Sequence, residues 1–468
     1  MTHAQQRLTG CRGGLKRWTR RLVGATGVLT LTIPLALGGA TSAGAATGRH
    51  HTKVVFTVTA PSGKQSRTGN QTLGQILDST AKSPEFNAHG HAAKDRAARD
   101  TLAAHQAARK AHAGSVALTK QAAQTARPDA AGDQDNMTVS ECRQHDQASS
   151  GNGWGKSRFV SCQAHGLHFL QEDCFLWWCT VKGAADADVT DIQYTQNSGR
   201  SIDVLQVFDN WWTWGDTADM VLTANITCTA KNNSGACQSE SFDGPYTEPV
   251  AAWAAEGTAY RFYDYTSPES SGWGPDKLSY AALNWHFNVP DAEQANADGP
   301  DSLFRCDSAS YIIGTAAGTG CVFPWVTETM MFSVAQSGGA ADHILNALYH
   351  PDQTMPPKAG KVIPGRPGTS PLHRTQDPAL VQAHRDVAIP TCQFYWPNYT
   401  QDGLECDEYP FASTLEGATL DDNFSVEPIS KSDNASGGGV MNGFYTYRRI
   451  IADDTDKVND PFWVDVTN

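Results

Sequence analysis

Through the middle of the chain, apolar and polar positions alternate in short runs separated by turn residues. The stretches Ser201-Ile202-Asp203-Val204-Leu205-Gln206-Val207-Phe208 and Met220-Val221-Leu222-Thr223-Ala224-Asn225-Ile226-Thr227-Cys228 read as half-buried strands, and Lys231-Asn232-Asn233-Ser234-Gly235 reads as a hairpin-type turn. Short strands of this kind, rich in Trp and Cys over residues 137–300, predict an all-β, sandwich-like domain. The preceding stretch, 46–136, has a single alternating patch, Val54-Val55-Phe56-Thr57-Val58. From Ala92 to Ala126 it offers helix formers without the large apolar residues that would make a packing stripe. It therefore reads as a flexible Ala-rich leader.

Residues 301–468 mix both periodicities and predict an α+β domain. An apolar strand, Cys321-Val322-Phe323-Pro324-Trp325-Val326, precedes a helix containing Ala341-Asp342-His343-Ile344-Leu345-Asn346-Ala347-Leu348. A proline- and glycine-rich loop from Pro351 to Pro371 leads to a short helix near Pro378 to Arg385. Two strands follow, one ended by Pro410 and one by Pro428. Asp433 to Gly439 then reads as a loop entering a helix, on which Val440, Phe444, Tyr447 and Ile451 form one apolar stripe. Asn442 falls nearly opposite that stripe, on the face of Tyr445 and Arg449.

The N-terminus changes the compartment. Basic Lys16-Arg17-Trp18-Thr19-Arg20-Arg21, an apolar run from Leu22 to Leu37 and the small residues Ala43-Gly44-Ala45-Ala46 predict a secretory signal peptide over 1–45. No later stretch is long and apolar enough to span a bilayer, so a secreted, extracellular monomer is expected. Removing the signal removes Cys11 and leaves an even set of ten cysteines, which in an exported chain favours disulfides. Short loops favour Cys228 with Cys237, Cys306 with Cys321 and Cys392 with Cys406. No cysteine pair recurs at zinc-finger spacing. The clustered Trp211, Trp212 and Trp214 fit either core packing or a platform for sugar rings, and His165 with His168 reads as structural.

Net charge is −13, and in the last third acidic residues outnumber basic ones about two to one. That balance excludes a tight DNA-binding protein, since phosphate affinity comes from basic patches. It remains compatible with an enzyme that bridges carboxylates and phosphate through a divalent cation. The chemistry concentrates in Cys406-Asp407-Glu408-Tyr409-Pro410-Phe411-Ala412-Ser413-Thr414 and in the glycine-rich run Asp433 to Gly443. Strand alternation places Asp407 with Tyr409 and Glu408 with Cys406, so the two carboxylates are expected on opposite faces and not pointing into one site. A strand carboxylate can deprotonate a water, a helix amide such as Asn442 can ligate a hard cation, and Arg449 can hold a neighbouring phosphate.

The same stretch, with Glu416-Gly417, Val426-x-Pro428 and the Asp433-Asn434 to Asn442 run, resembles the NucA/NucB family of small secreted deoxyribonucleases. The resemblance is strongest from Thr391 to Val466, roughly a sixth of the chain. It implies a ββα-metal core that cuts DNA with little sequence preference. It further implies Asp407 as general base where relatives use His, Asn434 at the helix entrance, and Asn442 holding one divalent cation, Mg²⁺ or Mn²⁺. Glu408 belongs to the motif. Two departures stand out: Ala435-Ser436 stands where the small family members commonly carry an arginine in the glycine-rich run, and Cys406 replaces a basic residue found just before the Asp in some members. The alternative reading is an extracellular cell-wall or glycan-binding protein with an inert nuclease-like module.

Overall fold

The computed structural model describes residues 51–61, 137–175, 178–232, 235–239, 244–290, 292, 295–312, 318–419, 421–453 and 458–467, all within one compact unit. The expected signal peptide and most of the leader lie outside the described residues. In chain order the first part comprises β1 (His51–Thr59), α1 (Val139–Arg143), β2 (Trp154–Ser157), β3 (Val160–Phe175), β4 (Trp178–Thr195), β5 (Ser201–Gly215) and β6 (Val221–Ala230). It continues with β7 (Gln238–Ser239), β8 (Tyr246–Pro249), α2 (Val250–Ala255), β9 (Ala259–Thr266), β10 (Ser279–Asn288), β11 (Asn296–Asp298), β12 (Ser302–Asp307) and β13 (Gly320–Val322). A seven-stranded sheet ordered β1-β3-β4-β5-β9-β7, with β2 on β3, faces a six-stranded sheet ordered β13-β12-β10-β6-β8, with β11 on β10. Alternating residues from both sheets, among them Phe169, Val189, Val204, Phe208, Leu222 and Phe287, fill one shared core, as the period-2 pattern requires.

The sequence reading of the leader needs correction at β1. Val54 and Phe56 are buried in the sandwich core, and β1 pairs antiparallel with β3 from His51↔Cys174 to Thr59↔Gly166. Burying a Phe or Val side chain contributes about 2 kcal/mol, enough to hold a strand that also completes a sheet edge. Residues 302–322, expected in the C-terminal domain, complete the six-stranded sheet as β12 and β13, tied by the Cys306–Cys321 disulfide. The three expected disulfides are present, joined by Cys142–Cys162 and Cys174–Cys179. Trp211 packs against the core and Trp212 is exposed, while His165 accepts from the Trp285 indole and His168 sits between Asp186 and Thr59.

The C-terminal part runs β14 (Glu328–Ser333), α3 (Val334–Tyr349), β15 (Leu372–His373), α4 (Pro378–Tyr395), β16 (Leu404–Tyr409) and β17 (Ser425–Ser430). It ends with α5 (Lys431–Tyr447), β18 (Ala452–Asp453), β19 (Val458–Asn459) and β20 (Pro461–Thr467). β20 lies between β14, parallel to it, and β15, antiparallel to it. Met330, Phe332, Ile344, Leu348, Tyr409, Tyr445, Phe462 and Val464 form the core between this sheet, α3 and α5. A buried ionic cluster joins this part to the sandwich. Asp460 accepts from Arg158 at 2.7 Å and from Arg305 at 2.6 and 3.0 Å, and Asp307 accepts from Arg449 at 2.6 and 2.9 Å. All three guanidiniums are fully buried.

Candidate active site

Antiparallel β16 and β17 pair Asp407 with Glu427 and Tyr409 with Ser425, and α5 begins at the residue after β17. The Ser430 hydroxyl caps α5 by accepting from the Asp433 amide at 3.1 Å. The glycine-rich run is therefore helix, not the loop expected from its composition. Tertiary contact explains one of its glycines: a Cβ on Gly437 would come within 3.1 Å of the Ala340 Cβ, so a small residue there lets α5 press against α3. α3 is itself broken at Gly338, whose φ of 40° needs glycine. The Asp433 carboxylate then accepts from the Gly339 amide at 3.0 Å, capping the second segment of α3. On the opposite side, the Cys392–Cys406 disulfide fastens α4 to β16.

These elements enclose a cleft of about 300 Å³ whose lining includes Arg385, Asp407, Glu408, Asn434, Gly437 and Met441. Both motif carboxylates reach it. Strand alternation does hold, since Asp407 turns toward α3 and Glu408 interacts with Arg385 of α4. The expectation that they could not share a site fails because β16 belongs to a two-stranded ribbon, so side chains from both of its faces border the same opening. Burial, reinforced by the Asp407 charge, pushes the Glu408 carboxyl up to about 7 against the opposing pull of Arg385 and His343. Asp407 Oδ2 meets His343 Nδ1 at 2.7 Å, and His343 Nε2 meets Ser425 Oγ at 2.7 Å. The Asn434 amide donates to Glu405 at 2.9 Å, which leaves its carbonyl oxygen as the end available to a cation.

Of the residues singled out from sequence, Asp407, Glu408 and Asn434 come together in the cleft. Asn442 does not. Asn434, Gly438 and Met441 repeat along the cleft face at helical spacing, whereas Asn442 lies off that face and is exposed. Arg449 is also excluded as a phosphate ligand. It follows α5 with φ 51°, is fully buried, and spends its guanidinium on Asp307, Asn197 and the Gly318 carbonyl. The cation that does border the cleft is Arg385, exposed on α4.

Sequence reasoning passed over Arg385 and His343. His343 sits among apolar residues of a helix and reads as core, and only its 64-residue leap to Asp407 separates it from a packing histidine. Glu408, Asp407 and the Asn434 carbonyl are hard oxygen donors, and the raised Glu408 carboxyl beside a second carboxylate suits a divalent cation. Among the described residues, the one group of three His, Cys or acidic side chains whose ligand atoms lie close enough together to share a metal ion is Glu172, Cys174 and Cys179, whose cysteines form a disulfide.

The model of the family described as Deoxyribonuclease NucA/NucB matches residues 372–459, which span α4, β16, β17 and α5. No curated protein and no solved structure matches the chain.

Proposed function

We propose that this chain, which carries a NucA/NucB deoxyribonuclease region at residues 372–459, is a secreted metal-dependent endonuclease that hydrolyses DNA phosphodiester bonds with little sequence preference. One observation carries the reading: a partly exposed carboxylate, Asp407, oriented by a buried histidine, shares a cleft with Glu408, the Asn434 carbonyl and the exposed cation Arg385. Asp407 deprotonates the attacking water, since its side chain lines the cleft while only Oδ2 is engaged by His343. Arg385 holds a non-bridging phosphate oxygen at the rim. Glu408 and Asn434 would hold one Mg²⁺ or Mn²⁺, which would supply charge stabilisation to the phosphate and the leaving oxygen. Five disulfides, with no helix among the described residues long and apolar enough to cross a membrane, fit an extracellular enzyme. The β16–β17–α5 succession fits the two strands and helix of a ββα-metal core.

The test is cleavage of supercoiled and linear DNA by the purified chain with Mg²⁺ or Mn²⁺, with and without EDTA. Chelation should abolish cutting. Asp407→Ala should lose at least about a hundredfold in kcat while keeping the wild-type circular dichroism spectrum. Cutting at the wild-type rate by either the chelated protein or the variant would refute the assignment.

A further inference from the structure

Ser425 Oγ, His343 and Asp407 stand in line, with 2.7 Å at each step. A hydroxyl, an imidazole and a carboxylate so arranged invite comparison with a nucleophilic triad, in which the carboxylate orients the imidazole and the imidazole activates the hydroxyl. Exposure decides the direction here. Ser425 is fully buried, and so is His343, whereas the Asp407 side chain retains 16% of its surface and borders the cleft. The end that can meet a substrate is the carboxylate.

We infer that the chain works in reverse: His343, clamped by Ser425, is a positioning residue that fixes Asp407 so that one carboxylate oxygen is held inside the protein and the other faces the cleft. This rests on the nuclease reading of the site and adds to it a residue outside the family match, which begins at Leu372. The Nδ1–H donates to the carboxylate, which can only accept, and the ring is thereby set as one tautomer. The imidazole is held from three sides. The break at Gly338 and the Asp433 cap on Gly339 start the helical segment that carries His343. Ile344 and Ala347 beside it are buried in the core, and Ser425 is held by the β16–β17 pairing with Tyr409. A carboxylate on a two-stranded ribbon has rotamer freedom that this second anchor removes. Misplacing a reacting group by about 1 Å costs about a hundredfold in rate, so the anchor belongs to the chemistry as well as to the fold.

Two near-isosteric variants separate the roles. Asn at 343 places an amide N–H where the Nδ1–H stood and can still hold Asp407. Gln places its amide where Nε2 stood and reaches Ser425 instead. In the full chain, His343→Gln should lower kcat on DNA by about tenfold to a hundredfold with KM within about twofold, and His343→Asn should recover most of that loss. Ser425→Ala should keep at least about a third of the activity. Thermal melts of every variant report folding.

Equal impairment by Asn and Gln at matched stability would overturn the positioning role, as would a folded Gln variant with wild-type kcat. Loss of cutting in a folded Ser425→Ala would overturn the direction and support a serine nucleophile. An inactive wild-type chain would instead sink the nuclease reading, and an NMR arm keeps the two apart. The His343 Nδ1 proton should be observed in the wild type and exchange rapidly in Asp407→Ala, whether or not DNA is cut. Its persistence in that variant would show that Asp407 is not its acceptor.

Discussion

Replacing Asp460 by Asn removes a buried negative charge without changing the side-chain volume appreciably. In the native chain, burial pushes this carboxyl up, but Arg158 and Arg305 together outweigh that and hold it below the usual carboxylate value. In the variant the two fully buried guanidiniums, which already repel one another, lose the charge between them. Breaking a buried pair from one side costs about 3–5 kcal/mol, because the partner charge stays desolvated. With an unfolding entropy of about 2.1 cal/mol/K per residue over about 320 folded residues, the midpoint should fall by about 4–7 °C. Scanning calorimetry at pH 7 measures this. Arg158 and Arg305 come from the sandwich and Asp460 from the C-terminal part, so a single transition should move as a whole. The sign with pH follows from the lowered native value: the stabilisation is present above the unfolded carboxylate value near 3.9 and is lost as pH falls through the lower native value. The difference between Asp460→Asn and wild type should therefore shrink toward pH 3. A shift below about 1 °C at pH 7, or two transitions of which only one responds, would refute the reasoning.

Three further outcomes are expected. Glu408 titrates near 7 in the fold against 4.5 as the ordinary value, so its contribution to stability is full below about pH 4.5 and is lost as pH rises through 7. Glu408→Gln should thus gain about 1–3 kcal/mol over wild type in urea unfolding at pH 8 and little at pH 4, with added Mg²⁺ narrowing the gap, and parallel pH curves would contradict this. Arg385→Ala should raise KM for DNA severalfold at nearly unchanged melting temperature, whereas Arg449→Ala should chiefly destabilise; the reverse pattern would return the phosphate role to Arg449. Gly437→Leu drives a side chain into Ala340 and should cost about 1–3 kcal/mol by separating α5 from α3, measured by thermal melting.

Period-2 alternation was enough to reveal a β sandwich around Val204, Phe208, Leu222 and Ile226, because side chains on one face of a strand share one environment whatever the topology. Loop length alone made Cys228–Cys237, Cys306–Cys321 and Cys392–Cys406 readable, since short loops cost little to close. That Asp407, Glu408 and Asn434 lie near one another was legible too, each lying within the span of one ribbon and the helix that follows it.

Long-range contacts decided the rest. The patch around Phe56 becomes a strand only because β3 offers an open edge more than a hundred residues away. Composition made the glycine-rich run a loop, whereas the chain makes it a helix capped by Ser430, with Gly437 packed on Ala340 of α3. Arg449 looks like a surface cation until Asp307, 142 residues earlier, takes its charge. His343 becomes part of a site only when α3 is laid against β16. Local sequence specifies which face a residue presents, whereas the partner that gives a buried charge or an imidazole its purpose is fixed by packing between segments far apart in the chain.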